Sequence, residues 1–239
     1  MLIRTWNLFH GNTVPPGRAA RLEEAVRLAA SGDPAIVCLQ EVPAWALELL
    51  DDWSGMVAVG DVASRPRAGR ELGRRLTALN AGLIRSALAG QANAILVASG
   101  LRILERHVIV LRRGSFRLQR RICQVVRLRL PDERMLAVGS LHASNVAHLA
   151  DSEVLRAAAF LDEIAAPGDI AVLAGDFNVS RSPAVEEVLT WGFSEPGPGI
   201  DHVLVRGAES GPEERWPDKR RTVGGALLSD HAPVEVNVR

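Results

Sequence analysis

The chain has 239 residues, of which 47% are hydrophobic, which is enough for one large α/β domain or two small ones. Its formal net charge is +0, so no overall field marks it as a nucleic-acid or membrane-surface protein. Cys38 and Cys123 each lie in an apolar run, which excludes a disulfide framework and a cysteine metal site. No apolar run approaches the length of a membrane span and no signal-peptide pattern opens the chain, so we expect a cytoplasmic protein.

Short apolar runs between turn residues predict strands, and apolar residues at helical spacing predict helices. In the first part of the chain we predict strands over 2–8, 35–39 and 56–59, with helices over 18–30 and 44–50. Further strands are predicted over 94–98 and 103–111, followed by a hairpin of 124–130 and 135–141. Because no helix separates these strands, they should pair antiparallel.

The last part of the chain alternates helices and strands. Helices are predicted over 148–166 and from Ser182-Pro183 to Trp191-Gly192. Strands are predicted in the segments 170–178, 200–205 and 234–238. The sequence contains no internal repeat, low-complexity tract or recognisable linker. We therefore predict a single domain over residues 1–239.

One segment is rich in arginine, with Arg65, Arg67, Arg70, Arg74 and Arg75 followed by apolar Leu76, Leu79, Leu83 and Ile84. Such a charge run is typical of a solvated helix face or loop. The alternative is a surface that faces the phosphates of a substrate.

The segment IAVLAGDFN, residues 170–178, indicates a site at the end of a strand. A buried apolar run leads to Gly175, and Asp176 and Asn178 follow two residues apart, so in an extended chain their side chains share one side. A carboxylate beside an amide suits a hydrated metal or an attacking water next to a phosphate. The alternative is a plain turn, because Gly, Asp and Asn all favour turns.

Other polar residues share this position at a strand end or in a neighbouring loop, where α/β folds collect ligand-binding groups. The complete set is Asn7, Glu41, His142, Asp176, Asn178, Asp201, Asp230 and His231. Each alone could be a cap or a turn residue, but together they indicate a functional site.

The motifs TWNL, CLQEV, SLHAS, GDFN, IDHV and SDHAP, in this order, resemble those of the endonuclease/exonuclease/phosphatase superfamily, which includes the deoxyribonuclease I-like nucleases. The resemblance extends from Leu2 to Val236. It implies an α/β (α+β) fold, a four-layer sandwich of two mixed β-sheets packed face to face with helices outside. The predicted order of strands and helices agrees with that architecture.

The resemblance also implies roles for the metal-binding and catalytic residues. Glu41 matches the principal Mg²⁺ ligand of the family, with Asn7 and Asp230 close to the metal. Asp176 and Asn178 match the pair that orients or deprotonates the attacking water and holds a phosphate oxygen.

The histidines and one arginine complete the implied site. His231 matches a histidine that contacts the scissile phosphate, and Asp201 matches the carboxylate that fixes its ring. His142 matches the second histidine of the deoxyribonuclease-like branch, and Arg121 resembles a phosphate-contacting arginine. The acid that partners this second histidine in many relatives is missing from the segment 91–94, so its partner stays open, and Asn93 of that segment is predicted to face the substrate.

The residues and the resemblance together predict a Mg²⁺-dependent phosphoesterase, with Mn²⁺ as a possible substitute, that cleaves phosphodiesters by in-line attack of an activated water. The predicted partner is a nucleic acid, which makes the protein a nuclease, or another phosphodiester. The alternative is a phosphatase or phosphodiesterase for a small phosphorylated metabolite or lipid head group. A silent binding module would not need both histidines and every carboxylate, and the oxygen-rich ligands disfavour zinc.

Overall fold

The computed structural model describes residues 1–17, 19–67, 69–79, 88–114 and 119–239. Its strands are β1 (Leu2–Asn7), β2 (Thr13–Val14), β3 (Ile36–Val42), β4 (Val57–Ser64), β5 (Gln91–Val97), β6 (Arg102–Arg112), β7 (Arg121–Arg129), β8 (Met135–His142), β9 (Ile170–Asp176), β10 (Asp201–Arg206), β11 (Glu214–Arg215), β12 (Thr222–Val223), β13 (Ala226–Leu228) and β14 (Val234–Asn237). The α-helices are α1 (Leu22–Ala29), α2 (Leu50–Ser54), α3 (Arg70–Ala78), α4 (Ala147–Ile164) and α5 (Pro183–Thr190). Short 3₁₀ helices cover Phe9–Gly11, Ala44–Leu49 and Asp218–Arg220.

These strands form two large mixed sheets and one small sheet. The first sheet has the order β11-β14-β1-β3-β5-β4, the second has the order β10-β9-β8-β7-β6, and the small sheet joins β12, β13 and β2. The parallel pairs are β1 with β3 and β8 with β9, and a helix lies between the strands of each pair in the chain. Strands β6, β7 and β8 pair antiparallel in chain order, as predicted, but β5 and β6 lie in different sheets and do not pair with each other.

The apolar side chains form three layers of core around the two large sheets. Between the sheets, Ile3, Cys38 and Ile95 of the first pack with Val126, Val138 and Val172 of the second. The outer face of the first sheet packs against α1 and α2, and the outer face of the second packs against α4 and α5. The four-layer sandwich is therefore confirmed.

The face of each strand that lies between the sheets becomes polar toward one end of the sandwich. In β1, Ile3 is followed on this face by Thr5 and Asn7, because side chains alternate along a strand. In β9, Val172 is followed by Ala174 and Asp176 in the same way. One end of the sandwich thus collects buried polar groups from neighbouring strands, and this end holds the candidate site.

Several observed elements differ in extent from the predicted ones. Strand β3 continues beyond Leu39 to Val42, β5 begins at Gln91, β7 begins at Arg121, and α1 begins at Leu22. The strand extensions carry polar residues that are buried between or beside the sheets, so they break the apolar pattern from which strands are predicted.

The arginine-rich segment contains helix α3. Arg70 forms an ion pair of 2.6 Å with Glu48, and Arg75 forms one of 3.1 Å with Glu71. Both pairs are exposed, which agrees with a solvated helix face for at least these two arginines. The predicted apolar positions Leu83 and Ile84 lie outside the described residues. Among the helices that are described, none is long and apolar enough to cross a membrane.

Candidate active site

The site centres on the carboxylate of Asp176, the last residue of β9. Its Oδ2 atom accepts a hydrogen bond of 2.9 Å from Asn7 Nδ2, and the Nε2 atoms of His142 and His231 lie 3.4 and 3.9 Å from it. Strand register causes this convergence, because His142 pairs with Asp176 across β8 and β9, and Asp201 pairs with it from β10. Asp176 is only 1% exposed, and burial followed by the charge of Asp201 raises its pKa to about 6.

Asp201 fixes the ring of His231. The Nδ1 atom of His231 lies 3.0 Å from both carboxylate oxygens of Asp201, so the ring presents Nε2 toward Asp176. Burial opposes the charged ring, but the hydrogen bond and charge of Asp201, with the charges of Asp176 and Asp230, outweigh burial and raise the pKa of His231 to about 9. His231 is therefore an imidazolium at neutral pH.

We expect the substitution Asp201→Asn to lower the pKa of His231 from about 9 toward its ordinary value of 6.5. An amide carries no charge, so it stabilises the imidazolium less than the carboxylate does. An NMR titration of the His231 ring in the two proteins measures the shift, and the other histidines of the chain provide the internal control. A pKa that stays near 9 would contradict this account of the pair.

His142 is held in the opposite protonation state. Its Nδ1 atom lies 3.0 Å from Arg121 NH1 and 3.1 Å from Gln91 Nε2. A guanidinium only donates, so Nδ1 must accept and the ring proton lies on Nε2, which faces Asp176. Burial and then the charge of Arg121 hold the pKa of His142 well below its ordinary value. The partners of His142 that the sequence left open are thus Gln91 and Arg121.

A neutral and a cationic histidine therefore face one carboxylate from two sides. Their different protonation follows from their Nδ1 partners, a guanidinium for His142 and a carboxylate for His231. Groups whose environments drive their pKa values apart are typical of catalytic sites.

Glu41 reaches the site through an irregularity in β3. The pairing of β3 with β5 shifts its register between Leu39 and Val42, and Glu41 adopts a left-handed φ of 54°. Such a bulge re-aims a side chain that regular alternation would turn to the outer face. The carboxylate of Glu41 lies 3.4 Å from His10 Nε2 and 3.9 Å from His142 Nε2. Burial, opposed by Arg121 and reinforced by Asp176, raises its pKa to about 7.

Asp230 and His231 lie on a turn of unusual backbone shape. Ser229 has a φ of 60°, and its hydroxyl donates to Asn7 O at 2.7 Å and accepts from His231 N at 3.1 Å. Asp230 is exposed, and its Oδ1 lies 3.5 Å from the Ser229 hydroxyl. The left-handed residues Phe9, His10, Glu41, Asn178 and Ser229 all lie in this region, and strained backbone of this kind clusters at functional sites.

The donor set fits a hard divalent cation. Glu41, Asp230 and the amide of Asn7 offer oxygen atoms, which Mg²⁺ prefers. Asp176 and Asp230 both raise the pKa of Glu41, which shows that negative charge accumulates here and that a cation would relieve it. Asp176, Asp201 and His231 also bring ligand atoms within 4.8 Å of one another, so a metal could bind there as well.

The remaining predicted residues lie at the periphery of this centre. Asn178 adopts a left-handed φ of 53° instead of the expected extended one, and its side chain donates to Ala143 O at 3.0 Å. Its backbone N donates to Asp176 Oδ1 at 3.0 Å, which fixes that carboxylate. Asn93 is 1% exposed and lies beneath the site, where its Nδ2 donates to Ile122 O at 3.4 Å. Asp176 is equally buried, so burial alone does not separate Asn93 from the residues at the centre of the site.

Sequence reasoning missed several polar residues that support the site. Gln91 contacts His142, and His10 contacts Glu41. Beneath them, the amide of Gln40 hydrogen-bonds Thr5 at 3.1 Å and Ser140 at 3.4 Å between the sheets. Gln91 and Gln40 each lie two positions from an inward-facing residue of the same strand, a signal that becomes visible only once the strand ends are known, whereas His10 lies outside the strands and has no such spacing.

A sequence model of the family described as Endonuclease/Exonuclease/phosphatase matches residues 5–231. A comparison with curated proteins finds no match. Among solved structures, a functionally unknown conserved protein from Enterococcus faecalis V583 has a TM-score of 0.73 at 16% identity, covering 100% of this chain and 99% of that chain. The Bacteroides thetaiotaomicron VPI-5482 mannosyl-6-phosphatase has the same TM-score, identity and coverage. Truncated Caenorhabditis elegans TDP2 has a TM-score of 0.66 at 16% identity, covering 99% of this chain and 96% of that chain.

The similarity to the solved structures establishes the fold, and the match over residues 5–231 establishes the family. The protein is a hydrolase of phosphate esters. It belongs to the endonuclease/exonuclease/phosphatase family.

Proposed function

We propose that the protein hydrolyses phosphodiester bonds with the help of a divalent metal ion, Mg²⁺ or in its place Mn²⁺, and that its substrate is a nucleic acid. The observation that supports the reaction is the convergence of Asn7, His142 and His231 on Oδ2 of Asp176. A carboxylate held by donors, beside an imidazolium, combines a proton acceptor with a charge that can stabilise a phosphate.

Asp176 orients the attacking water and accepts its proton. Its pKa of about 6 leaves the carboxylate ionised at neutral pH and more basic than an exposed aspartate. Asn7 Nδ2 and the backbone N of Asn178 each donate to one of its oxygens, so the carboxylate keeps a fixed direction. In-line attack by this water then builds negative charge on the phosphoryl oxygens.

The two histidines stabilise that charge in different ways. His231 contacts the scissile phosphate through Nε2–H as a cation, because Asp201 holds its proton-bearing Nδ1. His142 offers a neutral Nε2–H donor beside it. Asp201 thus acts through the ring of His231, which agrees with its nearly complete burial.

Glu41, Asp230 and Asn7 would hold the metal. When bound, the metal acts as a Lewis acid that polarises a phosphoryl oxygen and neutralises developing charge. Arg121 adds a fixed positive charge beside Glu41 and His142, and its position supports a phosphate contact. For Asn93 we retain the predicted phosphate-facing position as part of this proposal, because Asn93 lies two residues along β5 from Gln91, which contacts His142.

The arginine-rich segment gives the nucleic-acid proposal its electrostatic support, because a polyanion extends beyond the catalytic residues. The ion pairs of Arg70 with Glu48 and of Arg75 with Glu71 reduce that support. They favour the second candidate function, a phosphatase or phosphodiesterase for a small phosphorylated metabolite or lipid head group.

An activity screen tests both functions. Duplex DNA, single-stranded DNA, RNA, a small phosphodiester and sugar phosphates are each incubated with Mg²⁺ or Mn²⁺, with the Glu41→Ala protein as the blank. We expect hydrolysis of a nucleic acid that EDTA abolishes and that Glu41→Ala greatly reduces, because a metal-ligand charge is lost. Hydrolysis confined to small phosphate esters would favour the second candidate, and full activity in excess EDTA would refute the metal-dependent mechanism.

A further inference from the structure

The guanidinium of Arg221 binds the backbone of the turn that carries Asp230 and His231. Its NH1 atom donates to three carbonyl oxygens, those of Leu228 at 3.1 Å, Ser229 at 2.8 Å and His231 at 3.1 Å. Arg221 is buried, so these contacts are shielded from solvent. One positive group thus satisfies three carbonyls that point toward a common point.

The small sheet delivers Arg221 to this position. Arg221 directly precedes β12, and its carbonyl accepts from Leu228 N at 3.0 Å, across a hairpin that turns at Gly224 and Gly225. Both glycines have positive φ, 55° and 77°, as a tight two-residue hairpin requires. Asp218 holds the other end of the guanidinium through a contact of 2.7 Å with NH2.

Other parts of the turn have hydrogen-bond partners of their own. Ser229 N donates to Asn12 O at 3.0 Å, and Trp6 Nε1 donates to His231 O at 2.9 Å. These two contacts hold the turn to β1 and to the segment that follows it. Without the cation the converging carbonyls would repel one another, and those of Leu228 and Ser229 would lose a buried hydrogen-bond partner, which is unfavourable. The turn would therefore relax by rotating peptide units, and these peptide units set the directions of Asp230 and His231.

We propose that Arg221 is a positioning residue of the active site, which directs Asp230 and His231 by gathering the carbonyls of residues 228, 229 and 231. The inference rests on the proposed function of these two side chains. It gives Arg221 no contact with the substrate. It predicts that loss of the guanidinium impairs turnover more than the loss of stability alone explains.

Arg220 provides a matched control because it is the adjacent arginine and also has ordered contacts. Its NH1 forms an ion pair of 2.7 Å with Glu235, and its guanidinium lies 3.7 Å from the ring centroid of Trp216. These contacts stabilise the outer part of the first sheet and do not involve the turn. Arg220→Met and Arg221→Met therefore remove the same chemical group from neighbouring positions, and only the second removes the support of the turn.

The test compares wild type, Arg221→Met, Arg221→Lys and Arg220→Met, each assayed on the best substrate of the screen at a temperature where it is folded. We expect kcat of Arg221→Met to fall by about 10- to 100-fold, the usual cost of losing a group that orients site residues, with KM changed much less. Arg221→Lys keeps a charge but not the planar fork, so we expect its kcat to lie between those of Arg221→Met and wild type and at least about threefold below wild type. Arg220→Met should keep kcat within about twofold, because exposed and partly exposed pairs act mainly on stability.

A spectroscopic measurement on metal-free protein at one pH tests the inference without activity. In wild type, the Nδ1 proton of His231 should give a downfield signal from its bond to Asp201. We expect this signal to shift or broaden in Arg221→Met and to stay unchanged in Arg220→Met.

Equal kcat in the two methionine variants, or an unchanged His231 signal in Arg221→Met, would overturn the inference. If Arg221→Met does not fold, Arg221→Lys decides, and wild-type kcat together with a wild-type His231 signal in that protein would overturn it. A wild-type protein that hydrolyses no phosphate ester would instead refute the proposed function, and the His231 signal would still test the role of Arg221.

Discussion

Replacing Asp176 by asparagine is expected to lower kcat by at least about 10²-fold while the protein stays folded, the usual scale for loss of a general base. The amide has nearly the same size and can still accept a hydrogen bond from Asn7 Nδ2, so the packing around it should persist. It cannot accept a proton from water at neutral pH. Steady-state kinetics on the best substrate measure the effect, and thermal unfolding verifies the fold.

Asp169 offers a control beside the other end of β9. It lies directly before β9, at the end far from the site, and its carboxylate accepts from Arg127 Nε at 2.8 Å. Asp169→Asn removes a largely buried charge as Asp176→Asn does, but it should leave kcat near the wild-type value. A near wild-type kcat in Asp176→Asn, or an equal loss in Asp169→Asn, would contradict the role of Asp176.

The sequence predicts the members of the site better than their arrangement. Asn7, Asp176 and Asp201 were predictable because each terminates or begins an apolar strand, and strand ends of a sheet collect at one edge. Alternation then places Asn7 and Asp176 on the face between the sheets. The contact between Asn7 and Asp176 depends on the packing of the two sheets against each other. Only the family resemblance indicated that packing.

The positions of Glu41 and Asn178 show where a regular pattern misleads. Asn178 was expected in extended backbone, and Glu41 was expected just after a regular strand, but both adopt left-handed φ values, 53° and 54°. A bulge turns Glu41 toward the site, and a turn lets Asn178 N donate to Asp176. Such conformations are imposed by neighbours far away in the chain, so local propensity does not contain them.

Protonation states were also inaccessible to sequence reasoning. His142 lacks the acid that the resemblance led us to seek, and the structure supplies an amide from β5 and a guanidinium from β7 instead. The choice between a neutral and a cationic ring therefore depends partly on β5, which belongs to the other sheet and meets β8 only in space. Arg221 is a similar case, because its spacing from His231 carries no sign of the carbonyls that it binds.

Gly175→Ala should produce a large loss of stability, because the backbone of β9 admits no side chain at this position. Gly175 has a φ of 145°, and a Cβ atom there would clash with the carbonyl oxygen of Leu141 and lie 2.9 Å from its carbonyl carbon. Leu141 is the partner of Gly175 in the parallel pair of β8 and β9, so neither backbone can yield without breaking the pairing. We expect the free energy of unfolding to fall by about 3 kcal/mol or more, at the upper end of single substitutions.

Gly139→Ala in the neighbouring strand separates this effect from a general intolerance of alanine. Its Cβ would lie 3.2 Å from Leu173 Cδ1, the end of a flexible side chain, so we expect a loss of about 1 kcal/mol or less. Urea denaturation gives both values from the midpoints and slopes. If Gly175→Ala folds with the stability of Gly139→Ala, the close approach of β8 and β9 at Leu141 is wrong. In that case the pairing of His142 with Asp176, one residue further along the same register, would be wrong with it.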